Sequence, residues 1–155
     1  MIKAAFLRSK KALAAAAAVA LLLVAAPAVA QVPQPYAGQL LALLRHADQL
    51  MNQYGYNRAA GPFSGELNAR ATARFPITLR AGGDYRIVGV CDTRCSDLDM
   101  RLYDQSGTLR GQDVDTDDVP VVQANPSVTG VYNVEVIMYQ CRAAPCYYAF
   151  NVYTR

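Results

Sequence analysis

The run Tyr85 to Gly107, Y-R-I-V-G-V-C-D-T-R-C-S-D-L-D-M-R-L-Y-D-Q-S-G, decides the fold. Tyr85 to Cys91 is apolar on both faces, the pattern of a strand buried on both sides. Leu98, Met100 and Leu102 then alternate with Asp97, Asp99, Arg101 and Tyr103, which predicts a half-exposed outer strand. Asp104-Gln105-Ser106-Gly107 is a turn, because an aspartate can accept from the backbone ahead of it and glycine tolerates positive φ.

Working outward, the same period of two continues on both sides. Phe75, Ile77 and Leu79 alternate from about Ala71, and Ala81-Gly82-Gly83-Asp84 is a turn. Beyond Gly107, strands are predicted for Thr108–Asp113, Val119–Gln123, Val131–Gln140 and Tyr147–Thr154. Seven or so short strands with regular turn signals predict an all-β, two-sheet sandwich.

Upstream the period changes to 3.6. Leu40, Leu43, Leu44, Ala47, Leu50, Met51 and Tyr54 recur at helical spacing and stop at Gly55, so an amphipathic helix precedes the sheet. Asn57 to Gly65, rich in Gly, Pro and Asn, reads as a loop. The first 30 residues are of another kind: Lys3, Arg8, Lys10 and Lys11 precede the apolar run Ala12–Ala26, and Ala28-Val29-Ala30 offers small residues for cleavage. Residues 1–30 are therefore expected to be a secretory signal peptide, with an uncleaved anchor as the alternative. The expected division is 1–30 signal peptide, 31–65 spacer, helix and loop, and 66–155 β-sandwich.

Removing that leader takes four of the 15 basic residues, leaving 11 arginines against 12 acids. No basic tract remains to neutralise phosphates, so nucleic acid is not an expected partner. Stable membrane insertion is not expected after cleavage either. Localisation is expected to be periplasmic or secreted. There an even number of cysteines favours bridges: Cys91, Cys95, Cys141 and Cys146 sit in two close pairs. Local pairing would close small loops, worth on the order of 2 kcal/mol each in the loop-entropy model. Crossed pairing and a four-thiolate zinc site are the competing arrangements.

The motifs L-x-A-G-x-Y at Leu79–Tyr85, D-L-D-x-x-L-Y-D at Asp97–Asp104 with Gly107 after it, and T-G-x-Y-x-V-x-V at Thr129–Val136 carry a resemblance. Over Phe75–Tyr153 the chain resembles the bacterial pre-peptidase C-terminal domain. The resemblance implies a small jelly-roll-like sandwich of the kind appended to secreted proteases, some of which bind calcium or polymers such as collagen. This chain adds an N-terminal helix and two cysteine pairs.

Eight of the 12 acids fall between Asp92 and Asp118. Asp92, Asp97, Asp99, Asp104, Asp113, Asp115, Asp117 and Asp118 thus form a candidate calcium-ligand set, calcium being the cation suited to many hard oxygens. Asp113 to Asp118 is not an EF-hand, since Asp118 stands where that loop needs glycine and Ala124 where it needs glutamate. The competing reading is an acidic turn region that pairs with Arg94, Arg101 and Arg110 and keeps strand edges soluble.

No catalytic constellation emerges. The only histidine, His46, lies on the helix, no serine has a nucleophile-elbow context, and Glu66 and Glu135 are the only glutamates. The expected role is therefore non-catalytic: binding a glycan, matrix polymer or extracytoplasmic protein through outward tyrosines. Tyr103, Tyr139 and Tyr147 are the candidates for that face. The alternative from another class is an assembly protein of the cell envelope that docks a partner through the helix.

Overall fold

The computed structural model describes residues 32–155; the segment 1–30, expected to be a signal peptide, lies outside the described residues. One helix, α1 (Tyr36–Gln53), is followed by eight strands: β1 (Asn57–Leu67), β2 (Thr72–Leu79), β3 (Tyr85–Cys91), β4 (Cys95–Tyr103), β5 (Leu109–Asp113), β6 (Val121–Ala124), β7 (Gly130–Cys141) and β8 (Cys146–Thr154). They form two antiparallel four-stranded sheets, in the orders β1-β8-β3-β6 and β2-β7-β4-β5.

The pairing has a simple logic. β1 pairs with β8, β2 with β7, β3 with β6 and β4 with β5. The chain is thus one long antiparallel ribbon whose tip is the Asp104–Gly107 turn, and contacts of β3 with β8 and of β4 with β7 fold that ribbon into two sheets. At the tip Gly107 takes a φ of 82°, a left-handed conformation that glycine adopts without a Cβ penalty.

The alternating apolar residues meet between the sheets. Leu79, Ile87, Leu98, Met100, Leu102, Val134, Met138, Tyr148 and Phe150 are buried there. Phe75 meets Phe150 edge-on at 5.2 Å, and Phe63 stacks on Phe150 at 4.8 Å. The other faces of β3 and β8 are covered by α1: Leu40 and Leu44 pack on Val90, Tyr147 and Ala149, while Ala47 packs with Val88 and Tyr153. This double cover explains why β3 and β8 lack alternation in sequence. Leu43, Leu50 and Tyr54, read as part of the buried stripe, are exposed, because the sheet takes up only the Leu40–Leu44–Ala47 line.

Two other sequence expectations are corrected, and the local cysteine pairing is borne out. The segment Asn57–Gly65, read as a loop, is most of strand β1, so the sandwich begins before residue 66. Its Gly, Pro and Asn residues are accommodated by irregularities between Arg58 and Ala60 and between Ala60 and Phe63, and β8 supplies the hydrogen-bonding partner. β4, read as an outer half-exposed strand, lies between β7 and β5, and its aspartates are buried. The cysteines pair locally, Cys91 with Cys95 and Cys141 with Cys146, at Cα separations of 5.9 and 5.8 Å. That excludes the crossed arrangement and leaves no thiolate for zinc. Two bridges suit an oxidising, extracytoplasmic compartment.

Candidate functional site

The eight aspartates separate into three groups. Asp92, between β3 and β4, is 1% exposed and accepts from the Tyr147 backbone at 2.6 Å, the Arg94 backbone at 2.8 Å and the Arg94 guanidinium at 2.9 and 3.1 Å. Burial on its own would raise its pKa, but the Arg94 guanidinium and these backbone donors outweigh it and hold Asp92 below the usual carboxylate range. Asp104 belongs to the ribbon tip: it accepts from Ser106 and Thr108 and pairs with Arg110 at 2.7 Å, and the Ser106 hydroxyl first among these donors keeps its pKa low. Asp92 and Asp104 flank opposite ends of β4, roughly 25 Å apart at the rise of a strand.

The third group is Asp97 and Asp99 on β4 with the β5–β6 loop beside them. Leu98 donates its backbone N–H to the Asp117 carbonyl at 2.8 Å, which lays this loop along β4. Asp113 accepts from Asp115 and Val121, and Asp117 from Val119, while Asp115 and Asp118 are exposed. Asp97 is 3% exposed and its Oδ1 has no hydrogen-bond partner. Burial raises the pKa of Asp97, with Asp117 adding to it. Burial likewise raises Asp99, with Asp97 adding and Arg101 opposing. Among the described residues no three acidic, histidine or cysteine side chains converge as a metal cage.

The tyrosines divide as well. Tyr147 is 9% exposed beneath α1, stacked on Tyr36 at 5.1 Å, with Arg94 lying 3.9 Å over Tyr36. It faces the helix and not solvent, because the odd-numbered side chains of β8 point to the covered face. Tyr103 and Tyr139 lie on the uncovered outer face of the second sheet. Arg74 lies over the Tyr103 ring at 5.1 Å and Arg70 over Tyr139 at 5.4 Å. Between them, register puts Arg74, Glu135, Arg101 and Gln112 in one row across four strands. Glu135 accepts from Arg74 at 2.9 Å and from the Tyr103 hydroxyl at 3.2 Å. This face offers flat aromatic and guanidinium surface held in place by a buried carboxylate.

A hollow that sequence reading does not reach lies at the ribbon-tip end of the sandwich. Its volume is about 210 Å³, and it is lined by the Asp104–Ser106 turn and Arg110 on one side and by Ser127 to Tyr132 on the other. A second hollow of about 180 Å³ shares Arg110, Ser127 and Tyr132 with it. The nearest residues of the two walls, Arg110 and Ser127, are 17 apart in sequence, and although Asp104 and Thr129 to Tyr132 fall within the motifs at Asp97–Asp104 and Thr129–Val136, neither motif signals that the two walls meet.

His46 is exposed on α1, with no acid or cysteine beside it to form a metal set. No described helix is long and apolar enough to cross a membrane. No family model matches the chain, and no curated protein is similar to it.

Proposed function

We propose that the protein is an exported, non-catalytic binding module that holds an extended glycan, matrix polymer or extracytoplasmic protein across the outer face of its second sheet. The observation that carries this reading is an asymmetry. α1 covers the outer face of the first sheet, while on the second the β5–β6 loop overlies only the Asp97–Asp99 part, and Tyr103, Tyr139 and their stacked arginines stand beyond it. Tyrosine and arginine give large, rigid contact area at small entropic cost. The strand order, in which each strand of the ribbon pairs with its mirror partner, supports a jelly-roll topology and with it the likeness to pre-peptidase C-terminal domains. Two local disulfides and the apolar leader support export to the periplasm or beyond.

The test is retention on immobilised polysaccharides, peptidoglycan and collagen. Retention that falls at least tenfold in Tyr103→Ala and Tyr139→Ala supports the reading; retention indifferent to both substitutions on every matrix overturns it.

Calcium enters as a stabiliser of this module. Its support is the unpartnered Oδ1 of buried Asp97, with Asp99 two residues along on the same strand face and Asp117 of the β5–β6 loop beside them, its carbonyl accepting from Leu98. A buried carboxylate without donors is costly unless a cation or a proton compensates it.

The assembly reading has its own observation: Leu41, Leu43, Leu50 and Tyr54 of the helical segment are 39 to 63% exposed. Loss of a co-purifying envelope protein in Leu50→Arg, with polymer retention intact, would favour it.

A further inference from the structure

The geometry points to a second, smaller ligand site at the ribbon-tip end of the sandwich, shaped for one neutral, hydroxyl-rich ring such as a single sugar residue. It does not rest on the open-face reading, since none of its groups is Tyr103, Tyr139 or their arginines.

Both walls are fixed before any ligand arrives. On one side Asp104 accepts the Ser106 and Thr108 backbone N–H groups at 2.9 and 3.0 Å and the Ser106 hydroxyl at 2.6 Å, so the turn is clamped. On the other, the β6–β7 loop is tied at three points: Gly82 donates to the Pro126 carbonyl, Ala81 to the Thr129 hydroxyl and the Tyr132 hydroxyl to the Val128 carbonyl, each at 2.9 Å. A largely preformed hollow is what small-ligand sites have in common, because little ordering entropy is lost on binding.

Charge sets the ligand class. Among the described residues Arg110 is the only cation lining the hollow and Asp104 the only anion, and they neutralise each other through two contacts at 2.7 Å. An anion would meet no uncompensated positive charge, and a cation no free carboxylate. A neutral ligand loses nothing there.

The remaining groups specify hydroxyls against an apolar floor. Neither the Gln105 amide nor the Ser127 hydroxyl has a hydrogen bond to another described residue, and the Gln105 amide reaches the far wall only where its Nε2 lies close over Gly130, 3.2 Å from where a Cβ would stand. They supply donors and acceptors together. Val128, 66% exposed, and Val131, 40% exposed, offer the apolar wall that the C–H face of a pyranose covers. At about 210 and 180 Å³ the two hollows fall below the usual range for drug-sized ligands, so one ring fits and an oligomer does not. A ligand of this size binds on the order of millimolar.

The experiment is a titration of the 15N-labelled protein, followed by amide chemical shifts, with methyl glucoside, methyl galactoside and N-acetylglucosamine, and with inorganic phosphate as a charged comparison. Saturable shifts from at least one sugar at Gln105, Ser106 and Ser127 to Gly130, weakened about tenfold in Gln105→Ala and Ser127→Ala, are expected. Both substitutions are at exposed positions, and an unchanged spectrum elsewhere shows that the fold is kept. No saturable shift from any sugar at tens of millimolar overturns the inference, and so do shifts produced by phosphate alone. Sugar-induced shifts confined to the Tyr103 and Tyr139 face would also overturn it while leaving the open-face proposal standing.

Discussion

Replacing Asp92 with alanine tests whether the helix is held to the sandwich by one buried carboxylate. Asp92 has a side-chain exposure of 0% and Arg94 of 22%, and four donor contacts converge on the carboxylate. Removing it orphans the Tyr147 N–H inside the protein. It also leaves the Arg94 guanidinium, wedged against Tyr36 at 3.9 Å and Tyr147 at 5.2 Å, without its counter-ion. Breaking a buried pair from one side costs about 3–5 kcal/mol. Because Arg94 keeps some solvent, the lower end applies, about 3 kcal/mol. For a domain of this length that is a fall in Tm of roughly 10–15 °C. Asp92→Asn retains an acceptor for Tyr147 and should lose about half as much. Because the folded-state pKa is depressed, the contribution is present above the unfolded value of about 3.9 and is lost as pH falls below it. The difference between parent and variant should therefore shrink in acid. The assay is urea unfolding with the disulfides intact, from pH 7 down to pH 3, together with limited proteolysis at the α1–β1 junction. An Asp92→Ala variant within about 0.5 kcal/mol of the parent at pH 7, with α1 equally protected, would refute the reasoning.

Asp97 gives a prediction of opposite sign. Its folded-state pKa is raised, so its stabilising effect is present below about pH 3.9 and is lost as pH rises, and in chelator at neutral pH Asp97→Asn should stabilise by on the order of 1 kcal/mol. Millimolar calcium should raise the Tm of the parent and leave Asp97→Asn unmoved; an equal response, or none, in both proteins sinks the calcium proposal. In the β2–β3 turn Asp84 is lowered to about 2, first by the Tyr56 hydroxyl, against the effect of burial, and then by the C-terminal Arg155 and by Arg86. Its stabilising effect is present above about pH 3.9 and fades as pH falls toward 2. Tyr56→Phe should shift the Asp84 carboxyl titration upward in a carbon-detected NMR experiment, and an unchanged midpoint would count against the Tyr56 contact at 2.8 Å.

Strands were legible wherever one face alone meets the core. Phe75, Ile77 and Leu79 announce β2 because their neighbours Arg74, Pro76 and Thr78 are in water. β1 carries no such contrast: its residues are small or turn-forming, and it is a strand because β8 lies beside it, a long-range fact that local propensity does not contain. β4 shows a subtler limit. Its alternation correctly assigns Leu98, Met100 and Leu102 to the core, yet says nothing of what covers Asp97 and Asp99. The cover is a loop some twenty residues downstream, tied to Leu98 by one backbone hydrogen bond.

The same limit decides which surfaces are available for binding. Tyr103, Tyr139 and Tyr147 are each a tyrosine on a strand, and the docking of α1 on one sheet separates Tyr147 from the other two. Because α1 spends Leu40, Leu44 and Ala47 on the faces of β3 and β8, Tyr147 is consumed in packing, whereas on the second sheet no helix covers the outer face around Tyr103 and Tyr139. The ribbon pairing then adds a further constraint: bringing β4–β5 and β6–β7 to one end places Gln105 opposite Ser127, two residues with no local signal of their own. The proposed binding surfaces therefore lie where the ribbon is folded and not where the sequence is most patterned. The acidic run that looked richest in chemistry is spent at Asp92 and Asp104 on holding the fold, and within it only Asp97 keeps a buried oxygen without a partner among the described residues.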